Sequence, residues 1–243
     1  MSETNAGWID RNSGYPTPRF RRLLIAGPLF FVLFCVALRA THRPAFFRLI
    51  AENGPVESAT ALSYLALCGV SAMAARGWRK QEQCLDSTLY KVLALAAFFV
   101  AGEELSWGQH LIGFQPPTFF VDHNLQGETT AHNLIHGRYI HGLYATLAAS
   151  AVFARHLQPR RVRDWLGRRR DEYFPPLYLS TFFLPAMVYF SIPLDVIFRH
   201  AYITWRWQEP FELLLGLGLL SFVAINLHHH RLAAPSHRSK AAP

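Results

Sequence analysis

Four short stretches of the chain carry residue types capable of acid–base or metal chemistry: residues 52–57, 103–110, 124–136 and 208–212. The second holds Glu103, Glu104, Ser106 and His110. On a continuous helix, Glu103, Ser106 or Trp107, and His110 recur at i, i+3 or i+4, and i+7, so they share one stripe. A carboxylate there, Glu103 or Glu104, is expected to act as the general base for a water molecule. In the third stretch, Glu128, His132 and His136 repeat every four residues. Two imidazoles one helical turn apart can share a metal, and a carboxylate a turn earlier can join them, so one divalent ion, zinc first, is the expected cofactor. Glu57 and Glu212 each follow a proline by two residues. Pro at the first helical position and a carboxylate at the third mark a helix start, where the positive end of the dipole favours a negative charge. Both glutamates are explained by that role alone, or by a supporting place among the metal ligands.

The elements that must hold these residues follow from composition. Of 243 residues, 51% are hydrophobic and 16% charged, where an ordinary soluble domain has about 25% charged. A chain so apolar and aromatic is not disordered. Its net charge of +8 is spread between long apolar runs, which argues against nucleic acid as a partner. Six runs are candidates to cross about 30 Å of hydrocarbon: residues 23–38, 56–75, 89–112, 139–154, 177–198 and 211–227. The first, fourth and sixth are short. A cleaved signal peptide is the rival reading of the first.

Alternate segments between these runs hold 18 Lys and Arg against 6, which predicts that both termini are cytoplasmic. Nine of the sixteen acidic residues fall on the opposite side, together with all four chemistry-bearing stretches. The fold class expected is an all-α polytopic bundle with a single membrane domain over residues 19–231. Tails 1–18 and 232–243 are expected to be disordered cytoplasmic segments. The basic segment around Arg160 to Arg170, with Trp165 and Leu166, is either a plain positive-inside loop or an interfacial segment lying on anionic lipid headgroups. The expected location is the inner membrane of a bacterium, with the acidic face periplasmic or extracellular. Three cysteines, Cys35, Cys68 and Cys84, lie in or beside apolar runs and imply no disulfide framework.

Counted from Leu89, Glu103 lies about 21 Å along its helix. An ionisable residue at that depth faces a cavity or a partner; the competing expectation is a span that ends near Ala101 and leaves the pair exposed. His141 is placed deeper, within reach of Glu103 or Glu104. Residues 113–124, with Pro116, Pro117, Phe119 and Phe120, fit an interfacial or re-entrant loop over the polar cavity. His228 to His230 read as an interfacial tail.

Residues 100–113 resemble the first motif of the CAAX-protease and bacteriocin-processing family of intramembrane glutamate proteases, in which two consecutive glutamates lie on a membrane helix. Glu103-Glu104, Phe119 with His123, and His132 with His136 match pieces of that pattern, and Gly108 stands where the family has arginine. Ser106 with His110, Asp122, and His132 with His136 are similar, more distantly, to the set used by alkaline-ceramidase-like membrane hydrolases around zinc. Both resemblances imply hydrolysis. The leading expectation is therefore a hydrolase acting on a lipid or membrane-embedded substrate. The alternatives are a cation- or proton-coupled transporter and a helix-packing subunit that associates with other membrane proteins through small residues such as Gly216 and Gly218.

Overall fold

The computed structural model describes residues 8–10, 14–79, 83–124, 127–135, 137–192 and 207–233; their regular structure is helical apart from one bridge between Ile9 and Pro16. Four helices are long and apolar enough to cross a membrane. They are α1 (Pro18–Thr41), α3 (Pro55–Arg79) after the short α2 (Arg43–Leu49), α4 (Cys84–Glu104), and the last helix, Gln208–Ala233. At 1.5 Å per residue each spans roughly 30 Å or more. Between α4 and the last helix come α5 (Gln109–Ile112), α6 (Thr118–His123), α7 (Gly137–Phe153), α8 (Arg160–Leu166), α9 (Arg170–Tyr173) and α10 (Ser180–Ser191), so the last helix is α11.

The six expected spans thus become four long helices and two shorter ones. Expected spans four and five correspond to α7, of 17 residues, and α10, of 12. The second half of span five lies outside the described residues, as do most of the two tails. Part of the N-terminal tail is folded: Tyr15 donates to Asp171 Oδ2 at 3.3 Å, and Trp8 meets the Phe20 ring.

Helix starts follow local chemistry. Thr17 caps α1 by accepting from the Phe20 amide, and Pro18 occupies the first turn. Pro55 opens α3. Glu57 reaches back to accept the Asn53 amide, as the sequence predicts for a carboxylate at that position.

The helices pack in the order α4, α3, α11, α10, α7, with α1 against α10 and α2. α11 is the most enclosed of the long helices and α1 the most open. Leu29, Phe30, Leu33 and Phe34 on α1 and Leu89, Val92, Leu95 and Phe98 on α4 face outward. Contiguous apolar surface on that scale marks a lipid-facing protein. The chain is an integral membrane protein.

Close approach of helices depends on two glycines of α11. A Cβ on Gly216 would lie 2.3 Å from Ser63 Oγ, and one on Gly218 would lie 2.7 Å from the Phe183 ring and 2.8 Å from Phe182 Cβ.

The two ends of the bundle differ. At one end Asp86, near the start of α4, accepts from Arg169 Nη2 at 2.6 Å and from the Tyr173 hydroxyl. Arg169 Nε also meets Glu172 at 3.0 Å, and Arg155 pairs with Asp171. Burial, then the bond to Asp86, pushes the Tyr173 hydroxyl up to about 12. It therefore stays a donor. His230, expected in an interfacial tail, is buried here and stacks on Trp78 with ring centres 4.0 Å apart.

These contacts rank three glycine substitutions. Gly218→Ala meets an aromatic ring and a β-carbon and is expected to cost about 1–3 kcal/mol of stability. Gly216→Ala meets a serine hydroxyl that can rotate away and is expected to cost less. Gly69→Ala has nothing within 4 Å and is expected to be neutral or stabilising. Thermal unfolding of the three variants in one detergent checks the order.

Candidate functional site

The opposite end gathers the four chemistry-bearing stretches. It is built from the start of α3, the end of α4, the loop 105–135 and the start of α11.

Span three was expected to continue as one helix to Ile112, which would align Glu103, Ser106 and His110. Instead α4 stops at Glu104, and Ser106, Trp107 and Gly108 all take positive φ (45°, 52° and 83°). Two non-glycine residues in that region are unusual and are held by their surroundings. The Trp107 ring lies over Gly102, where a Cβ would come within 2.8 Å of it, and its Nε1 donates to Glu103 Oε1 at 2.7 Å. The break leaves Glu103 only 5% exposed and Glu104 half-buried.

The second expected helix, carrying Glu128, His132 and His136 on one flank, is also corrected. Residues 127–131 are irregular, His132–Leu134 form a single 3-10 turn, and α7 begins only at Gly137. His136 lies outside the described residues. Glu128 and His132 therefore do not share a helical face, and each pairs with the 103–110 stretch. Glu103 Oε2 accepts from the His132 backbone amide at 2.7 Å and lies 3.1 Å from its Nδ1. Glu128 accepts from the Ser106 hydroxyl at 2.9 Å through one oxygen, and its other oxygen is 2.8 Å from His110 Nε2.

Side chains that sequence reasoning passed over fix this loop. Asn124 Nδ2 donates to the Glu128 carbonyl at 2.6 Å and to Thr130 Oγ1 at 3.0 Å. Gln109 Oε1 accepts from the Thr129 amide and hydroxyl at 2.8 and 2.9 Å. Polar amides flanking a Glu–His stretch were the available signal, since a loop buried against a membrane bundle must satisfy its backbone internally. Beyond it, α6 presents exposed Phe119 and Val121, and Leu111 and Ile112 are also exposed. Such a segment fits the expected interfacial loop.

A second group lies deeper. Glu104 of α4 and Glu209 and Glu212 of α11 each bring a carboxylate oxygen within 4.8 Å of the others. Glu212 is 6% exposed. Among the described residues, neither Glu104 nor Glu212 has a cation or a hydrogen-bond donor on its carboxylate. Tyr64 of α3 and Tyr144 of α7 lie within electrostatic reach of both. Glu57, whose carboxylate accepts the Asn53 amide, lies within electrostatic reach of Glu104 and Glu212 and of Glu128 and His110. Glu209 was visible in the sequence as an acidic residue of the same stretch. It precedes Pro210, so the Pro-x-Glu pattern singled out Glu212 alone. His141 does not join either Glu103 or Glu104; its Nε2 is 3.4 Å from Gln208 Oε1.

No protein-family model, curated protein or solved structure matches the chain. The resemblances to glutamate proteases and ceramidase-like hydrolases rest on the motif residues alone.

The two adjacent glutamates thus have different surroundings, and stability separates them. Glu103→Gln disrupts the bonds to His132 and Trp107 and is expected to cost roughly 1.5–3 kcal/mol. Faster hydrogen exchange over residues 127–135 is expected with it. Glu104→Gln relieves like-charge repulsion and is expected to leave stability unchanged or raised in metal-free buffer. Equal destabilisation by both would contradict the assignment.

Proposed function

We propose that the protein binds a divalent cation between Glu104, Glu209 and Glu212, at a polar site on one end of a membrane-embedded bundle, and uses it to hydrolyse a lipid or membrane-embedded substrate. The observation that carries the cation is Glu212: a carboxylate more than nine-tenths buried, aimed at two others, with no donor or cation on it among the described residues. Two such charges within 4.8 Å of each other repel by on the order of 3 kcal/mol at an effective dielectric of about 20. A cation removes that repulsion and gains all three ligands.

The donor set bears on the metal. Carboxylate oxygens alone suit magnesium, calcium or manganese, whereas zinc selects histidine and cysteine. This reading moves the cation from the expected Glu128, His132 and His136 to the deeper glutamates and gives the histidines another task. The Glu128–His110 pair can take a proton from water and return it to the leaving group, adding one water across one bond. A cation held by Glu104, Glu209 and Glu212 would supply Lewis-acid polarisation to the bond that breaks. Glu103 holds His132 and the loop in place.

The Lys and Arg asymmetry supports an orientation with this end on the non-cytoplasmic side. A second reading, in which the carboxylates carry a cation or proton through the membrane, is favoured by the same burial of several glutamates and tyrosines among helices.

Elemental analysis of the purified chain tests the cation. About one divalent ion per chain is expected, lost on metal chelation and in Glu104→Gln and Glu212→Gln. Retention of the ion in both variants would overturn the site. Class is tested by reconstitution: cleavage of lipid or membrane-embedded peptide, abolished by Glu128→Gln with the metal retained, supports hydrolysis. Cation-dependent uptake into vesicles without cleavage supports transport.

A further inference from the structure

At the other end of the bundle, α3 and α4 enclose a groove of about 300 Å³ lined by Ala72, Ala75, Arg76, Arg79, Lys91 and Ala94. Its floor is alanine. Its rim carries three cations, two from the last turn of α3 and one from α4. None of the three has a carboxylate within ion-pair distance among the described residues. Asp86, the acidic residue in the first turn of α4, is already held by Arg169 and Tyr173.

Lys91 is the only basic residue in α4 and lies about 10 Å along it from Cys84. A lysine inside a membrane-spanning helix is costly unless its ammonium reaches the interface or meets an anion. Snorkelling alone would explain a lysine at a rim. It does not explain two arginines converging from the facing helix over a floor of small side chains.

The space fits a phosphate group. Guanidinium forks bind phosphate oxygens through paired hydrogen bonds, and an ammonium adds a compact charge. Beside the groove, Leu89, Val92 and Leu95 of α4 and Met73 of α3 are exposed apolar side chains, along which acyl chains can lie. We infer that this groove binds the phosphate of an anionic phospholipid, held by Arg76 and Arg79 of α3 and Lys91 of α4. The site is independent of the carboxylate end. Free phosphate shares the headgroup chemistry but gains nothing from the apolar flank.

Native mass spectrometry of the detergent-solubilised full chain, with phosphatidylglycerol or phosphatidylcholine added, tests it. Preferential retention of phosphatidylglycerol is expected. The variant R76Q/R79Q/K91Q is expected to bind it about a hundredfold more weakly, as three side-chain cations facing the headgroup are lost. Lys91→Arg keeps the charge and is expected to retain the lipid, which holds the test if the triple variant fails to assemble. Removing three charges from α8 instead, in R160Q/R161Q/R163Q, is expected to leave retention intact. Equal retention of the two lipids, equal loss in the α8 variant, or inorganic phosphate binding as tightly as the lipid would each overturn the proposal.

Discussion

Holding Glu212, a buried carboxylate, beside the carboxylates of Glu104 and Glu209 among membrane helices is the constraint around which this structure is arranged. Glu104, Glu209 and Glu212 come from two helices that do not follow one another in the chain, and Glu57 approaches them from a third. Like charges so close repel one another, and the rest of the fold supplies the rigidity that keeps them together. α11 is pressed against α3 and α10 at Gly216 and Gly218. At the far end, Asp86, Arg169, Glu172 and Tyr173 tie the start of α4 to the α9 segment. The acidic end is thus held together by packing along the bundle and by paired charges at the other end.

The loop between α4 and α7 shows how a polar surface is built on a membrane protein. Its backbone cannot rely on lipid for hydrogen bonds. Asn124, Gln109 and Glu103 therefore take up backbone groups of residues 128–132. The same side chains bring Ser106 and His110 onto the two oxygens of Glu128. Loop-fixing bonds and the Glu128–His110 pair are interleaved in one stretch, and Glu103 and Glu104, adjacent in sequence, have different surroundings.

Membrane character was legible in the scarcity of charge, and the start of α3 was legible in Pro55 and Glu57. So was the gathering of four distant stretches at one end, because alternating helices return the chain to the same side. Periodicity failed where the helix stopped. Ser106 and Trp107 carry no left-handed preference, so the break after Glu104 depends on Trp107 packing over Gly102, a tertiary contact. Likewise, a four-residue spacing cannot tell whether Glu128 faces His132 along a helix or His110 across a loop. The two shorter helices, α7 and α10, pack against each other, a feature that hydropathy does not report.

The most direct measurement is anomalous diffraction from crystals of the full chain equilibrated with manganese. A single strong peak is expected between the carboxylates of Glu104, Glu209 and Glu212, about 2.0–2.6 Å from their oxygens, the range for hard cations on carboxylates. A peak at Glu128 and His132 instead, or none at any concentration that leaves the fold intact, would contradict a cation as the partner of the buried glutamates.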